Sequence, residues 1–395
     1  MSDSSETFLP LSVPVLAGHE WEYVKDCLDS GWVSSAGSYV ERFEDGMRAL
    51  VGAPHAVALV NGTAGLHLAL LAAGVRPGDR VVVPALTFVA TANAVRHAGA
   101  EPVFVDCDEF MNIDVEGVRS FLSEACEPAT GGWVERSSGA FVRAVLPVHV
   151  YGRPADLAAL APVAAAHGLA VIEDATEALG SRWTDGPYAG RSVGTIGQSS
   201  VFSFNGNKIA TCGGGGVYVT PDAAAAARVR HLSTQAKTDT RRFVHDEVGW
   251  NYRLTNVAAA IGLAQLEQLA GFIAAKHACH ELYAKLLADV PGIDLLGFQP
   301  GTAPNCWFHS VLVDETAFGR DGEGLMQALA ERGIETRPVW GLLHEQAPFR
   351  GCTAWRIERA RWFWRRVLNV PCSSDLAPGD VERVVAAIRA AGRTV

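Results

Sequence analysis

Little in this chain invites a disulfide, a membrane or a nucleic acid. Its 8 cysteines are scattered through 395 residues and none forms Cys-x-x-Cys, which excludes a disulfide framework and leaves them as small buried hydrophobes. Acidic residues outnumber basic ones, 43 to 33, for a net charge of −10. A phosphate backbone needs a basic face, so no nucleic-acid partner is expected. No uninterrupted apolar run reaches the ~18 residues a membrane helix needs. The stretch Met1–Thr7 is polar and acidic, without the basic and apolar regions of a secretion signal. These absences predict a cytoplasmic protein with no membrane partner. A Walker loop and a His-Glu-x-x-His motif are also missing. His277 and His280 stand one helical turn apart, but two helical ligands do not make a zinc site, so no metal is expected.

What is present is apolar and regularly punctuated. Hydrophobic residues make up 49% of the chain and charged residues 19%, enough to fill large cores. Helical patterns over 19–30 and 39–50 precede an alternation. Strands are expected at 56–60, 80–83, 102–105, 145–148 and 170–172, with helices at 63–73, 89–97 and 156–167. Short apolar strands alternating with helices imply an α/β fold with a parallel sheet covered by helices on both faces. Ligands of such sheets collect at the carboxyl ends of the strands. The glycine- and serine-rich stretch 123–143 interrupts the alternation and reads as an inserted loop or hairpin. A strand-rich segment at 198–219 and a long helix at 255–288 follow. The division expected is a large α/β domain over 1–250 and a smaller α+β domain over 251–395.

Three strand ends carry chemistry. Ser203-Phe204-Asn205-Gly206-Asn207-Lys208 runs into Gly213-Gly214-Gly215-Gly216. It places a lysine on a turn after an apolar strand, where the amine can lose its proton and form an imine with an aldehyde. Pyridoxal phosphate is the cofactor that exploits such an imine. Val60-Asn61-Gly62-Thr63-Ala64-Gly65 joins a strand to a helix whose first amides lack partners. It reads as a phosphate turn or as a plain capped helix start. Asp174, after the strand Val171-Ile172, stands where a carboxylate could hold a pyridine nitrogen protonated or cap a helix. Glu177 could reach a ring hydroxyl. Phe88 could stack on a flat ring or belong to the core. The polar, aromatic loop His245–Thr255 offers Asn251 and Arg253 to an anion, or is plain surface.

Order and content together resemble the DegT/StrS sugar aminotransferases. The likeness is carried by Asn61-Gly62-Thr63-Ala64, Thr87–Ala94, Pro147-Val148-His149-Val150-Tyr151-Gly152, Glu173–Glu177, Ser203–Lys208 and Gly249–Leu254. It implies a pyridoxal-phosphate enzyme of aspartate-aminotransferase fold (fold type I) that moves an amino group from L-glutamate to a nucleotide-linked keto-sugar. Lys208 would be the imine-forming lysine and acid–base. Gly62, Thr63, Ala64 and Ser203 would hold phosphate, Phe88 would stack on the ring, and Asp174 and Glu177 would meet its nitrogen and hydroxyl. Asn251 would reach the neighbouring subunit's cofactor phosphate in a homodimer with active sites at the interface. Gly31-Trp32-Val33-Ser34-Ser35, the insertion near Gly131-Gly132 and the Asn-Gly-Asn before Lys208 are similar to the branch, of the legionaminic-acid route or perosamine-synthase-like, that aminates 4-keto-6-deoxy sugars carried on UDP, GDP or CMP-pathway precursors. Trp32, Ser34, His149, Tyr151, His309 and Arg337 are candidate substrate contacts. Related sugar dehydratases driven by pyridoxamine phosphate carry histidine in place of the lysine, so Lys208 favours transamination. A ligand sensor that keeps the fold would bring a basic DNA-binding domain, and the acidic chain argues against it.

Overall fold

The computed structural model describes residues 8–239 and 241–392; Met1–Thr7 lies outside them. Helices α1 (Glu20–Ser30) and α2 (Ser38–Val51) come first. The alternation then runs β1 (His55–Leu59), α3 (Gly62–Ala72), β2 (Arg80–Pro84), α4 (Val89–His97), β3 (Glu101–Val105) and α5 (Val115–Ser120). The expected insertion is a hairpin, β4 (Cys126–Ala129) and β5 (Gly132–Glu135), that pairs antiparallel with β6 (Phe141–Val145). Next come α6 (Leu157–Ala166), β7 (Ala170–Asp174), β8 (Arg182–Trp183), β9 (Ser199–Ser203), β10 (Gly216–Thr220), α7 (Ala223–Ser233) and α8 (Asn256–Leu287).

The main sheet has the order β1-β10-β9-β7-β6-β2-β3, with Ala354–Trp355 added in parallel beyond β3. From β9 to β3 every neighbouring pair is parallel. Strand β10 departs from the parallel expectation and runs against both β1 and β9. Its connection from β9 is the lysine turn rather than a crossover helix, so the chain doubles straight back. All residues of β7, β9 and β10 are buried, as in a sheet covered on both faces. The strand expected at 145–148 lies earlier, at Phe141–Val145. Pro147 has no N–H for a ladder; its carbonyl instead accepts the Asp174 N–H at 2.9 Å.

A second sheet of four antiparallel strands has the order Ile293–Leu295, His309–Val313, Val367–Val370, Arg337–Pro338. The distal half of α8 and the helices Gly322–Ala330 and Pro378–Ala391 share its hydrophobic cluster, which contains Leu287, Val311, Leu329, Val370, Val384 and Ile388. Leu9 belongs to that same cluster and bridges to Ile334. Phe349 and Phe363, by contrast, join the cluster around the main sheet.

Helix α8 has no uninterrupted apolar run of membrane-spanning length, being broken by Gln265, Glu267 and Gln268, yet its average composition is strongly apolar. By length and average composition it qualifies as a membrane span, with a mean hydropathy of 1.5 over its best window. It is the spine of the protein instead. Its residues Leu263, Leu269, Cys279 and Tyr283 are buried against both clusters. Asn256, in its first turn, donates to the Trp32 carbonyl at 2.7 Å and accepts from the Tyr39 N–H at 3.0 Å. A Cβ on Gly37 would lie 2.3 Å from the Asn256 side chain, so glycine lets α2 start against α8.

Candidate active site

The carboxyl ends of β7 and β9, the start of α3 and the start of α4 meet at a cavity of about 260 Å³. Its lining includes Gly62, Thr63, Phe88, Thr176, Glu177, Ser203 and Lys208. Lys208 is placed by the turn after β9, where its N–H donates to the Asn205 carbonyl at 3.0 Å. Only 11% of its side chain is exposed, and its Nζ lies 3.4 Å from Glu177 Oε1. The same Nζ sits 3.9 Å from the centre of the Trp307 ring, a cation–π contact worth about 0.5–2 kcal/mol. Trp307 is fixed in turn by its indole N–H, which donates to the Asn207 carbonyl at 2.7 Å.

Glu177 is buried beside the amine. Its Oε2 accepts the Tyr151 N–H at 2.8 Å. Burial pushes its carboxyl above the usual range, with the Lys208 charge opposing that rise. Asp174 lies just beneath the lining at the end of β7. It accepts from Thr91 Oγ1 at 2.7 Å and from the N–H of Thr176, a lining residue, at 3.2 Å.

Asn61 caps α3, and its Oδ1 accepts the Ala64 N–H at 2.8 Å. The Gly65 N–H donates to the Asn61 carbonyl at 3.2 Å. Among the described residues the N–H groups of Gly62 and Thr63 have no partner. They form the anion-facing end of the helix, while the Ala64 amide is held by the cap. Ser203 closes the turn from the other side: a Cβ on Gly62 would lie 3.2 Å from Ser203 Cβ and 3.0 Å from Thr176 Cγ2. Phe88 stands before α4, 49% exposed, its ring centre 6.2 Å from that of Trp340.

Other candidates lie elsewhere. His149 is fully buried; its Nε2 donates to Glu173 at 3.0 Å and its Nδ1 accepts the Ala155 N–H at 2.9 Å. That Glu173 also accepts the N–H groups of Gly194, Ile196 and Gly197, so the pair organises the loop before β9. Tyr151 is buried one layer behind the cavity, with Asn369 Nδ2 donating to its hydroxyl at 3.0 Å. His309 is buried in the second sheet, and burial drives its imidazole well below the usual range. Arg337 is exposed on the sheet's edge strand and pairs with Glu335. Trp32 borders a separate hollow of about 380 Å³ with Tyr39 and Asn256, and Ser34 lends its carbonyl to the Asn256 N–H. Asn251 is exposed and outside the cavity lining, while its neighbour Arg253 turns inward to Glu44 at 3.0 Å.

The sequence reading missed the aromatic wall of Trp307, Phe308 and Trp340 and the lining residues Asn205 and Asn207. It also gave Thr91 no role, although Thr91 lies in the first turn of α4, three residues after Phe88. The run Gly190-Arg191-Ser192-Val193-Gly194 matches Gly-x-Ser-x-Gly, but it occupies irregular chain between β8 and β9 and is no strand-to-helix nucleophile elbow.

A half-buried lysine, a carboxylate beneath the floor, unpartnered helix-terminal amides and an exposed aromatic ring fit a flat, phosphorylated pyridine aldehyde. Fold and site together define a pyridoxal-phosphate-dependent aminotransferase of fold type I. The profile of the DegT/DnrJ/EryC1/StrS aminotransferase family matches residues 14–389, and the chain belongs to that family. It is 36% identical to the GDP-perosamine synthase of Caulobacter vibrioides over 387 residues, 96% of this chain and 97% of that one. It is 38% identical to the GDP-perosamine synthase of Escherichia coli O157:H7 over 85% of this chain and 86% of that one. Among solved structures, DesI in the presence of its TDP-sugar product superposes with a TM-score of 0.86 at 31% identity, covering 98% of this chain and 93% of that chain.

Proposed function

We propose that the protein transfers the amino group of L-glutamate to the carbonyl carbon of a nucleotide-linked 4-keto-6-deoxy sugar, yielding an amino-sugar for glycan or glycosylated-metabolite synthesis. The observation that carries the reading is the Lys208 amine, shielded from solvent between Glu177 and Trp307 at the mouth of the helix-terminal anion site. The GDP-perosamine synthases at 36% and 38% identity support a GDP-linked sugar as the first to test.

In this reading the Gly62 and Thr63 amides and the Ser203 hydroxyl bind the cofactor phosphate. Ala64 contributes by fixing the turn. Phe88 covers one face of the ring, Asp174 holds the ring-nitrogen proton, and Glu177 meets the ring hydroxyl. When bound, pyridoxal phosphate supplies the electron sink that makes the donor's α-proton removable. Lys208 Nζ moves that proton and later returns one to the sugar carbon, general acid–base work worth about 10²–10⁴-fold. The aromatic wall excludes water from the amine.

The protein acts in the cytoplasm as a homodimer, with Asn251 serving the partner's site. Its exposure on a loop that also carries Val248, 79% exposed, supports this. The large body takes most of 1–250 and the smaller one most of 251–395, with Leu9 and Ala354–Trp355 packing across that division. Borohydride reduction of the loaded protein followed by peptide mapping should label Lys208, and Lys208→Ala should abolish turnover; a label elsewhere refutes the reading. A panel of GDP-, UDP- and dTDP-linked keto-sugars with glutamate, read by mass, identifies the substrate. Mixing Asn251→Ala with Lys208→Ala should restore part of the activity if Asn251 acts across the interface, and none if it acts within its own chain.

A further inference from the structure

A buried chain of hydrogen bonds runs from the second sheet to the lysine. Ser310, in the strand His309–Val313, donates from Oγ to Asn369 Oδ1 at 2.7 Å. Asn369, in the paired strand Val367–Val370, donates from Nδ2 to the Tyr151 hydroxyl at 3.0 Å. The Tyr151 N–H donates to Glu177 Oε2 at 2.8 Å, and Glu177 Oε1 faces Lys208 Nζ at 3.4 Å. Ser310, Asn369, Tyr151 and Glu177 are each at most 4% exposed.

Tyr151 is held in an unusual conformation. Its φ of 54° and ψ of 29° lie in the left-handed region, which costs a side-chain-bearing residue roughly 1–2 kcal/mol. Gly152 follows at φ 81°, and a Cβ there would lie 1.9 Å from Asn305 Oδ1. The turn aims the Tyr151 amide at Glu177, and among the described residues the hydrogen bond to the Tyr151 hydroxyl comes from Asn369. The Tyr151 ring also packs against Trp307, Phe308 and Trp340, so Asn369 supplies the polar part of the hold on this turn.

We propose that Asn369 and Tyr151 are positioning residues that let the second sheet set the charge balance at Lys208, by holding the Tyr151 amide on Glu177. This rests on the aminotransferase reading for its purpose but not for its test. The charged groups facing Glu177 are Lys208 and Asp174, and those facing Tyr151 are Glu177 and Arg153. Removing the amide donor favours the neutral form of Glu177, so Lys208 loses its counter-charge and gives up its proton at lower pH.

The test is competitive acetylation of the full-length, cofactor-free protein with trace acetic anhydride across pH, with the Lys208 peptide quantified by mass. Asn369→Leu and Tyr151→Phe should each lower the midpoint of Lys208 labelling by about one pH unit, in the direction of Glu177→Gln, with the far-ultraviolet circular dichroism unchanged. A purely structural role for Asn369 would lower the melting temperature and leave the midpoint in place. Midpoints unmoved in both variants overturn the proposal; if Asn369→Leu does not fold, Tyr151→Phe decides alone. Failure of borohydride to trap cofactor on Lys208 would overturn the aminotransferase reading while leaving the labelling result intact.

Discussion

Gly216→Ala should weaken cofactor binding although Gly216 itself does not line the cavity. Gly216 opens β10, which packs beside the turn joining β1 to α3. A Cβ there would lie 2.6 Å from both the carbon and the oxygen of the Asn61 carbonyl and 2.8 Å from the Gly62 nitrogen. These are backbone atoms, so no side chain can swing aside and the whole turn must move. Overpacking of this kind costs about 1–3 kcal/mol of stability. The displaced turn carries the unpartnered Gly62 and Thr63 amides. A hydrogen bond to a charged acceptor contributes about 1.5–3 kcal/mol, so moving one amide out of reach weakens phosphate binding by roughly 10- to 150-fold. Titration of the cofactor-free protein with pyridoxal phosphate and with dephosphorylated pyridoxal separates the effects. The first affinity should fall by that factor and the second should hold. Gly214→Ala is the control, since its nearest neighbour would be the Val60 carbonyl oxygen at 4.0 Å. Equal losses for both ligands, or none for either, would refute the assignment of this turn to phosphate.

Glu44→Gln should destabilise the fold by up to about 3–5 kcal/mol in a denaturant titration, because it leaves Arg253, 10% exposed, without its counter-charge at 3.0 Å and with only neutral acceptors such as the Ala58 carbonyl. His67 is buried and its imidazole is pushed down to about 4, by burial first and His97 second. The unfolded chain binds that proton below about pH 6.5, so stability should drop as pH falls from there toward 4, by at most roughly 3 kcal/mol, and His67→Leu should flatten the slope. Asp108 behaves oppositely: burial pushes its carboxyl up to about 7 despite the N–H groups of Phe110 and Asn112. The native state holds a proton that the unfolded chain releases, so stability should fall as pH rises from about 4 to 7, and Asp108→Asn should remove that fall.

Most of the large sheet was legible because its strands are short apolar runs separated by helices of ordinary length. Helix α4 was placed to the residue, and α3 and α8 to within one. The antiparallel β10 was not, since nothing in Gly216–Thr220 differs from its parallel neighbours; direction follows from the connection, not from the strand. The strand before Pro147 was misplaced because Leu146, Pro147 and Val148 continue the apolar run, while beyond Val145 the pairing thins to single bonds and an isolated bridge between Val148 and Asp174. The clustering of Lys208, Glu177, Ser203, Gly62 and Phe88 around one cavity follows from their positions at strand ends and helix starts. Trp307, Phe308 and Trp340 come from a distant part of the chain, and only the packing of the second sheet brings them over Lys208. His149 and His309 illustrate the converse: both were candidate substrate contacts, yet one organises a loop and the other is buried in the second sheet.

Leu9 completes a hydrophobic cluster otherwise built from α8 and the chain beyond it, while Ala354–Trp355 returns to finish the sheet that β1 begins. Beginning and end are thus laced through one another. A ribosome cannot deliver either cluster in finished form until almost the last helix has emerged. Neither half should be obtainable as a separately expressed fragment, and a premature stop after α8 should yield material recovered only in inclusion bodies.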